Sequence, residues 1–239
     1  IESDSGVDAC IQIGGPGYSG VMALGSILNG EVNPSGHTVD TWAADFTQNP
    51  TWNNFGNNMV ASTSGQPSGD QYTENGNPIP YYFVDYEEGI YVGYRYYETR
   101  GYTDGEDWYQ ANVVYPFGYG LSYTQFDWEI VNTADLSDIV LTEENKTETI
   151  TIGIQVTNTG EYAGKDVVQL YCTAPYTTGG IEKAQVVLVG FAKTPMLWPA
   201  DEANDSDRPQ SAVVSIEFSP YSIASYDDSD ANGNGFRGY

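Results

Sequence analysis

Adjacent carboxylates are the first place to look for acid–base chemistry, and this chain has one conspicuous pair, Glu87-Glu88. Read on a strand, neighbouring residues point to opposite faces, so the two are poorly placed to act together. Arg95 and Arg100 are two of only eight basic residues. They stand near Glu87, Glu88 and Glu98, so ion pairing at a domain contact is expected. Structural pairing is the favoured reading of these carboxylates. Trp42 and Trp52 are the candidates for ligand contact. Each can stack on a sugar ring, or pin a long loop to its own domain; both readings stay open.

Metal and nucleotide chemistry are poorly supplied. A single histidine, His37, and two distant cysteines, Cys10 and Cys172, offer too few ligands for zinc, so no metal and no cofactor are expected. Both cysteines sit in apolar runs, which favours buried thiols over a disulfide. Asp228-x-Asp230-x-Asn232-Gly233 copies the first half of a calcium loop, but Tyr239 stands where the bidentate Glu is needed. An Asx-rich turn accounts for it as well. Gly15-x-Gly17-x-x-Gly20, with Asp40 beyond it, matches a dinucleotide fingerprint. Pro16 removes a donor from that cradle, and no clear strand leads to Asp40, so a tight strand-to-helix turn is the favoured reading.

Composition narrows the partners. With Lys plus Arg at 8 and Asp plus Glu at 33, the formal charge is −25. Such a field repels nucleic acid and anionic lipid and leaves neutral sugars unaffected. No apolar run reaches the ~18 residues a membrane span needs. Apolar residues at 40% and aromatics at 14% fit a globular chain. The chain opens on Ile1-Glu2-Ser3-Asp4, without Met, and ends on Gly235-Phe236-Arg237-Gly238-Tyr239, which reads as the opening of a strand. The expectation is a piece of a longer polypeptide.

The elements that would position any site fall into two halves. Asp8 to Ile13 reads as a buried strand of a parallel sheet, followed by a glycine turn. A helix capped by Ser19 then presents Val21, Leu24, Ile27 and Leu28 on one face and stops at Gly30. Thr38 to Pro80 reads as a long loop pinned by Trp42, Phe46, Trp52 and Phe55. Tyr81 to Phe126 is a tyrosine-dense strap between two bodies. From Thr124 the period changes to two. The runs Phe126–Ile130, Ile150–Val156, Val168–Cys172, Val186–Phe191 and Val214–Phe218 predict an antiparallel β-sandwich.

Several motifs occur in a fixed order. They are Pro16-Gly17-Tyr18-Ser19-Gly20, Ile27-Leu28-Asn29-Gly30-Glu31-Val32-Asn33-Pro34-Ser35-Gly36, Gly89-Ile90-Tyr91-Val92-Gly93-Tyr94-Arg95-Tyr96-Tyr97, and Pro116-Phe117-Gly118-Tyr119-Gly120-Leu121-Ser122-Tyr123-Thr124. Val156-Thr157-Asn158-Thr159-Gly160, Asp166-Val167-Val168-Gln169-Leu170-Tyr171 and Leu188-Val189-Gly190-Phe191 follow. Together they resemble the C-terminal part of glycoside hydrolase family 3, the β-glucosidase group.

The resemblance implies an α/β plus all-β chain. Residues 1–115 would be the last part of the family's α/β sandwich domain, and 116–239 most of a fibronectin type III-like β-sandwich. It implies retaining hydrolysis of terminal β-D-glucosyl residues of oligosaccharides, by an Asp nucleophile on a barrel and a Glu acid/base. Both would lie outside this chain, so its partners would be a β-linked oligosaccharide and the barrel part of the same enzyme. His37-Thr38-Val39 stands where the family commonly has a basic residue and Leu, which suggests a divergent branch. A stand-alone carbohydrate-binding or adhesion module is the alternative function; a nucleotide-binding protein is a third. Compartment leans to secreted or cell-surface, and Asn145-Lys146-Thr147 and Asn204-Asp205-Ser206 are glycosylation sequons.

Overall fold

The computed structural model describes residues 6–54, 71–75, 77–82, 86–133, 136, 139–204, 206–227 and 235–237. The calcium-like stretch 228–234 and Phe55 lie outside the described residues.

The second half is built as its alternation predicts. β5 (Phe126–Ile130), β6 (Ile150–Asn158) and β9 (Ser211–Phe218) form one antiparallel sheet in the order β5-β6-β9. β7 (Val167–Cys172) and β8 (Val187–Lys193) form a second antiparallel pair, with a register shift between Leu170 and Tyr171. Ile154, Val156, Val214 and Ile216 from the first sheet and Val168 from the second share one buried cluster with Leu197. The two sheets therefore face each other across a common core. Burying each of these aliphatic side chains contributes roughly 1.5–3 kcal/mol against the entropy of ordering the chain.

The first half is helical and looped. α1 (Gly17–Gly20) and α2 (Met22–Leu28) are separated by Val21. Leu24 and Ile27 are half-buried, while Val21, Met22 and Leu28 are exposed. Ser19 lies inside α1 rather than capping it; Pro16 holds the N-cap position without a side-chain bond. The expected strand over Asp8–Ile13 is absent. Those residues are irregular, and Val7, Ile11 and Ile13 are exposed. A strand exists only where a neighbour takes its backbone donors and acceptors, and among the described residues no strand pairs with this segment.

The stretch read as one long loop is broken into short elements. β1 (Trp42–Ala43), a 3₁₀ turn (Phe46–Gln48) and α3 (Pro50–Asn54) precede the hairpin of β2 (Gln71–Glu74) and β3 (Asn77–Tyr82). β1 pairs antiparallel with β4 (Val113–Tyr115), Trp42 opposite Tyr115.

The strap contains two helices that its tyrosine density obscured, α4 (Tyr94–Asp104) and α5 (Glu106–Asn112). Aromatics favour strands in general, but local propensity yields to packing. Tyr94 is half-buried and Tyr97 only 3% exposed, three residues apart on one helix face. Gly101 admits the ring of Tyr109 from α5: a Cβ there would lie 2.5 Å from Cδ2 of that ring. No described helix is long and apolar enough to cross a membrane.

Candidate functional site

The strap makes contacts on both sides, to β8 and to the segment before it. The Tyr94 hydroxyl accepts a hydrogen bond from the Leu188 amide at 2.9 Å, so the first turn of α4 is fixed to β8. Its ring lies 4.7 Å from Phe117 and 6.0 Å from Tyr171, centroid to centroid. One turn on, the Thr99 hydroxyl accepts from the Gln185 amide at 2.9 Å. The Tyr91 hydroxyl donates to Glu182 at 2.5 Å. Burial, then this hydrogen bond and the glutamate's charge, raises the Tyr91 phenol to about 12. Burial, helped by Tyr94 and Glu98, raises Tyr171 to about 12 as well. Tyr109 donates to Glu98 at 2.5 Å and is also pushed upward, chiefly by burial.

Two short polar residues and a glycine complete the contact. Thr38 bonds the 116–119 turn four times. Its hydroxyl donates to the Pro116 carbonyl at 2.7 Å and accepts from the Tyr119 amide at 2.9 Å. Its amide donates to the Tyr119 carbonyl, and its carbonyl accepts from the Gly118 amide. Asn33 accepts from the Ser122 hydroxyl and the Tyr123 amide and donates to the Ala163 carbonyl. Gly120 permits the approach, since a Cβ there would sit 2.5 Å from the Gly36 carbonyl oxygen. Beside this turn, Nε2 of His37 lies 3.9 Å from Oδ1 of Asp166, whose Oδ2 accepts from the Trp128 indole at 2.8 Å. The only sequence signal for Thr38 and Asn33 is a small polar residue next to a Pro or Gly turn, which many loops share.

The expected ion pairs fall elsewhere. Arg100 pairs with Asp104 one helical turn away, and its guanidinium lies 5.0 Å from the centroid of Trp108. Arg95 lies 5.9 Å from the centroid of the Tyr94 ring. Helix geometry decides this, because residues four apart are neighbours on α4. Glu87 and Glu88 occupy a turn rather than a strand, Glu87 exposed and Glu88 buried.

Trp42 and Trp52 keep 40% and 42% of their surface open. Trp42 meets Tyr115 edge-on at 6.0 Å. Trp52 meets Phe46 at 5.0 Å and 87°. With Asn49 and Thr51 that second pair lines an open hollow of about 260 Å³. The two tryptophans thus stand on separate supports, one on β4 and one on the 3₁₀ turn.

Other chemistry finds little here. Among the described residues no group of three or more potential ligands could hold a metal ion. Cys10 and Cys172 are both free. Cys10 is exposed, against expectation, because the run around it joins no sheet; Cys172 is half-buried, and burial raises its thiol. The glycine fingerprint opens only the four-residue α1, with no strand before it among the described residues, and Asp40 is exposed. Asn145 spends both ends of its amide inside its own loop, donating to the Val140 carbonyl and accepting from the Thr142 amide, each at 2.7 Å.

Comparison with known proteins is consistent along the chain. The glycosyl hydrolase family 3 C-terminal domain matches residues 1–94. Beta-glucosidase A of Butyrivibrio fibrisolvens is 36% identical over 234 residues, covering 95% of this chain and 23% of that protein. A beta-glucosidase of Ruminococcus albus is 36% identical over 230 residues, covering 96% of this chain and 19% of its own length. Among solved structures, a beta-glucosidase from Paenibacillus barengoltzii superposes with a TM-score of 0.63 at 32% identity, over 89% of this chain and 18% of that one. The chain thus spans about a fifth of the length of the relatives it matches. It belongs to glycoside hydrolase family 3, as part of that family's C-terminal region.

Proposed function

We propose that the chain is the C-terminal portion of a retaining β-glycosidase that removes terminal β-D-glucosyl residues from oligosaccharides. The observation that carries this is the alignment: proteins named beta-glucosidase cover 95–96% of the chain at 36% identity. In this reading residues 1–115 end an α/β sandwich domain, and 116–239 form a fibronectin type III-like module that supports it. The nucleophile Asp and the acid/base Glu belong to polypeptide outside the chain. Retention needs those two carboxyls about 5 Å apart across the bond. The exposed apolar residues Val7, Ile11, Ile13, Met22 and Leu28 support the reading, as apolar surface left for the remainder of the enzyme to cover. Trp42 and Trp52 are the residues of this chain assigned to sugar contact, by stacking on open ring surface.

The test is made on the source polypeptide that contains the chain. It should be several times the mass of this 26.1 kDa segment. It should hydrolyse an aryl β-D-glucoside with the β-anomer released first, as followed by proton NMR. Release of the α-anomer first, or no hydrolysis, contradicts the proposal.

A further inference from the structure

One edge of the first sheet of the second half is open. β5 pairs with β6, and no described strand lies along its other side. The ladder fixes which groups face that side. The Val131 amide donates to the Gly153 carbonyl, and the Thr159 amide donates to the Gln125 carbonyl. Hydrogen-bonded pairs alternate along an antiparallel ladder. Gln125, Asp127, Glu129 and Val131 therefore spend their backbone groups on β6. The amides and carbonyls of Phe126, Trp128 and Ile130 point to the open edge. Sheet edges are usually blunted by Pro, a bulge or Lys. β5 has none of these, and its register with β6 is unbroken over five residues.

Side chains of two kinds alternate along this edge. Asp127 and Glu129 project from the outer face, both exposed and without an ion-pair partner among the described residues. Opposite them on β6 stand the neutral Thr157 and Gln155. With Trp128 these four line an open hollow of about 530 Å³. Trp128, opposite the core residue Val156, and Ile130 lie on the inner face, yet they stay 53% and 47% exposed. The indole bond to Asp166 holds the Trp128 ring in place. This alternation selects the strand that can be added. A second copy of β5 would set carboxylates against carboxylates in a chain of charge −25, and like charges directly opposite destabilise a pair. A strand with cations at alternate positions meets Asp127 and Glu129 on one face and covers Trp128 and Ile130 with apolar residues on the other.

We propose that the open edge of β5 is a docking site for an extended segment of another protein in which Lys or Arg alternates with apolar residues. The segment adds beside β5 as a further strand of the sheet. Backbone bonds to Phe126, Trp128 and Ile130 supply affinity. Asp127 and Glu129 select the sign of charge and the register.

Titration of the 239-residue chain with a synthetic peptide alternating lysine and valine tests it, by calorimetry and by hydrogen exchange. Saturable binding that weakens with added salt is expected. Exchange at the Trp128 and Ile130 amides should slow on binding, while Asp127 and Glu129, already bonded to β6, keep their rates. Asp127→Asn combined with Glu129→Gln should weaken binding about tenfold. Ile130→Pro removes one outward donor, leaves the β6 ladder intact and keeps both charges, and it should also weaken binding. Circular dichroism checks that each variant folds; if the proline variant does not, the exchange pattern of the unaltered chain decides. No saturable binding, equal binding of a glutamate–valine peptide, or binding without slower exchange at the outward amides overturns the proposal. Dimerisation of the chain through β5, read by sedimentation, overturns it as well.

Discussion

The hydroxyl of Thr124 donates to Oδ1 of Asn158 at 2.8 Å, with both residues buried. Asn158 is fully enclosed, and its other side-chain bonds are equally well placed. Oδ1 also accepts from the Gly160 amide at 3.0 Å, while Nδ2 donates to the carbonyls of Tyr162 at 2.8 Å and Leu197 at 3.1 Å. One amide thus ties the end of the strap, the end of β6, the turn after it and the core residue Leu197 together. Replacing it strands several buried partners at once. Asn158→Ala should destabilise the chain by about 2–4 kcal/mol, against about 1 kcal/mol for Thr124→Val. Urea unfolding of the two variants checks the order; equal or negligible losses would contradict the shared role.

Tyr94 joins the halves through one hydroxyl and one ring, and the two contributions separate. Tyr94→Phe removes the bond to the Leu188 amide and keeps the packing on Phe117 and Tyr171, so a loss of about 1 kcal/mol is expected. Tyr94→Ala removes both and should cost about 3–5 kcal/mol. Denaturant midpoints read the difference, and hydrogen exchange at the Leu188 amide should quicken in both variants.

Alkaline pH should loosen the belt. Tyr91 and Tyr171 have folded values near 12, above the ordinary 10.0, because burial disfavours the phenolate. The stability they contribute is present below pH 10, the unfolded value, and is lost as pH rises through about 12. Absorbance of the phenolates should show part of the tyrosine population titrating late, and stability should fall between those limits. Tyr171→Phe should flatten part of that fall. A single tyrosine transition near 10 with constant stability would contradict the burial of these groups.

Close approach makes Gly120 sensitive. A methyl group there meets the Gly36 carbonyl oxygen at 2.5 Å and the His37 ring at 3.0 Å. Gly120→Ala should lower the melting temperature and weaken the Thr38 bonds to the 116–119 turn, visible as faster exchange of the Thr38 and Tyr119 amides. Unchanged exchange would contradict the contact.

The strands of the second half were legible because β6 and β9 bury alternate positions, and Ile150 to Val156 alternates without interruption; β5 alternates in sequence too, although Trp128 and Ile130 stay exposed. The joint was legible as an aromatic excess, but not its geometry. Tyr94 to Asp104 carries aromatics that also suit strands, and only the packing of Tyr97 and the Arg100–Asp104 pair identify a helix. Asp8 to Ile13 misled for the opposite reason: its apolar residues suit a strand, yet no described partner strand lies beside it. Thr38, Asn33 and Asn158 were hidden because their importance lies in contacts made across the chain. Trp42 and Trp52 were visible as residues; that Phe46 faces Trp52 across a notch was not.

On the proposed function, the chain supports glycoside cleavage without containing the groups that perform it. The direct measurement is hydrolysis of a chromogenic β-D-glucoside by the purified, folded 239-residue chain. The predicted result is no turnover above the uncatalysed rate at any enzyme concentration. Turnover that rises in proportion to the concentration of this chain alone would contradict it.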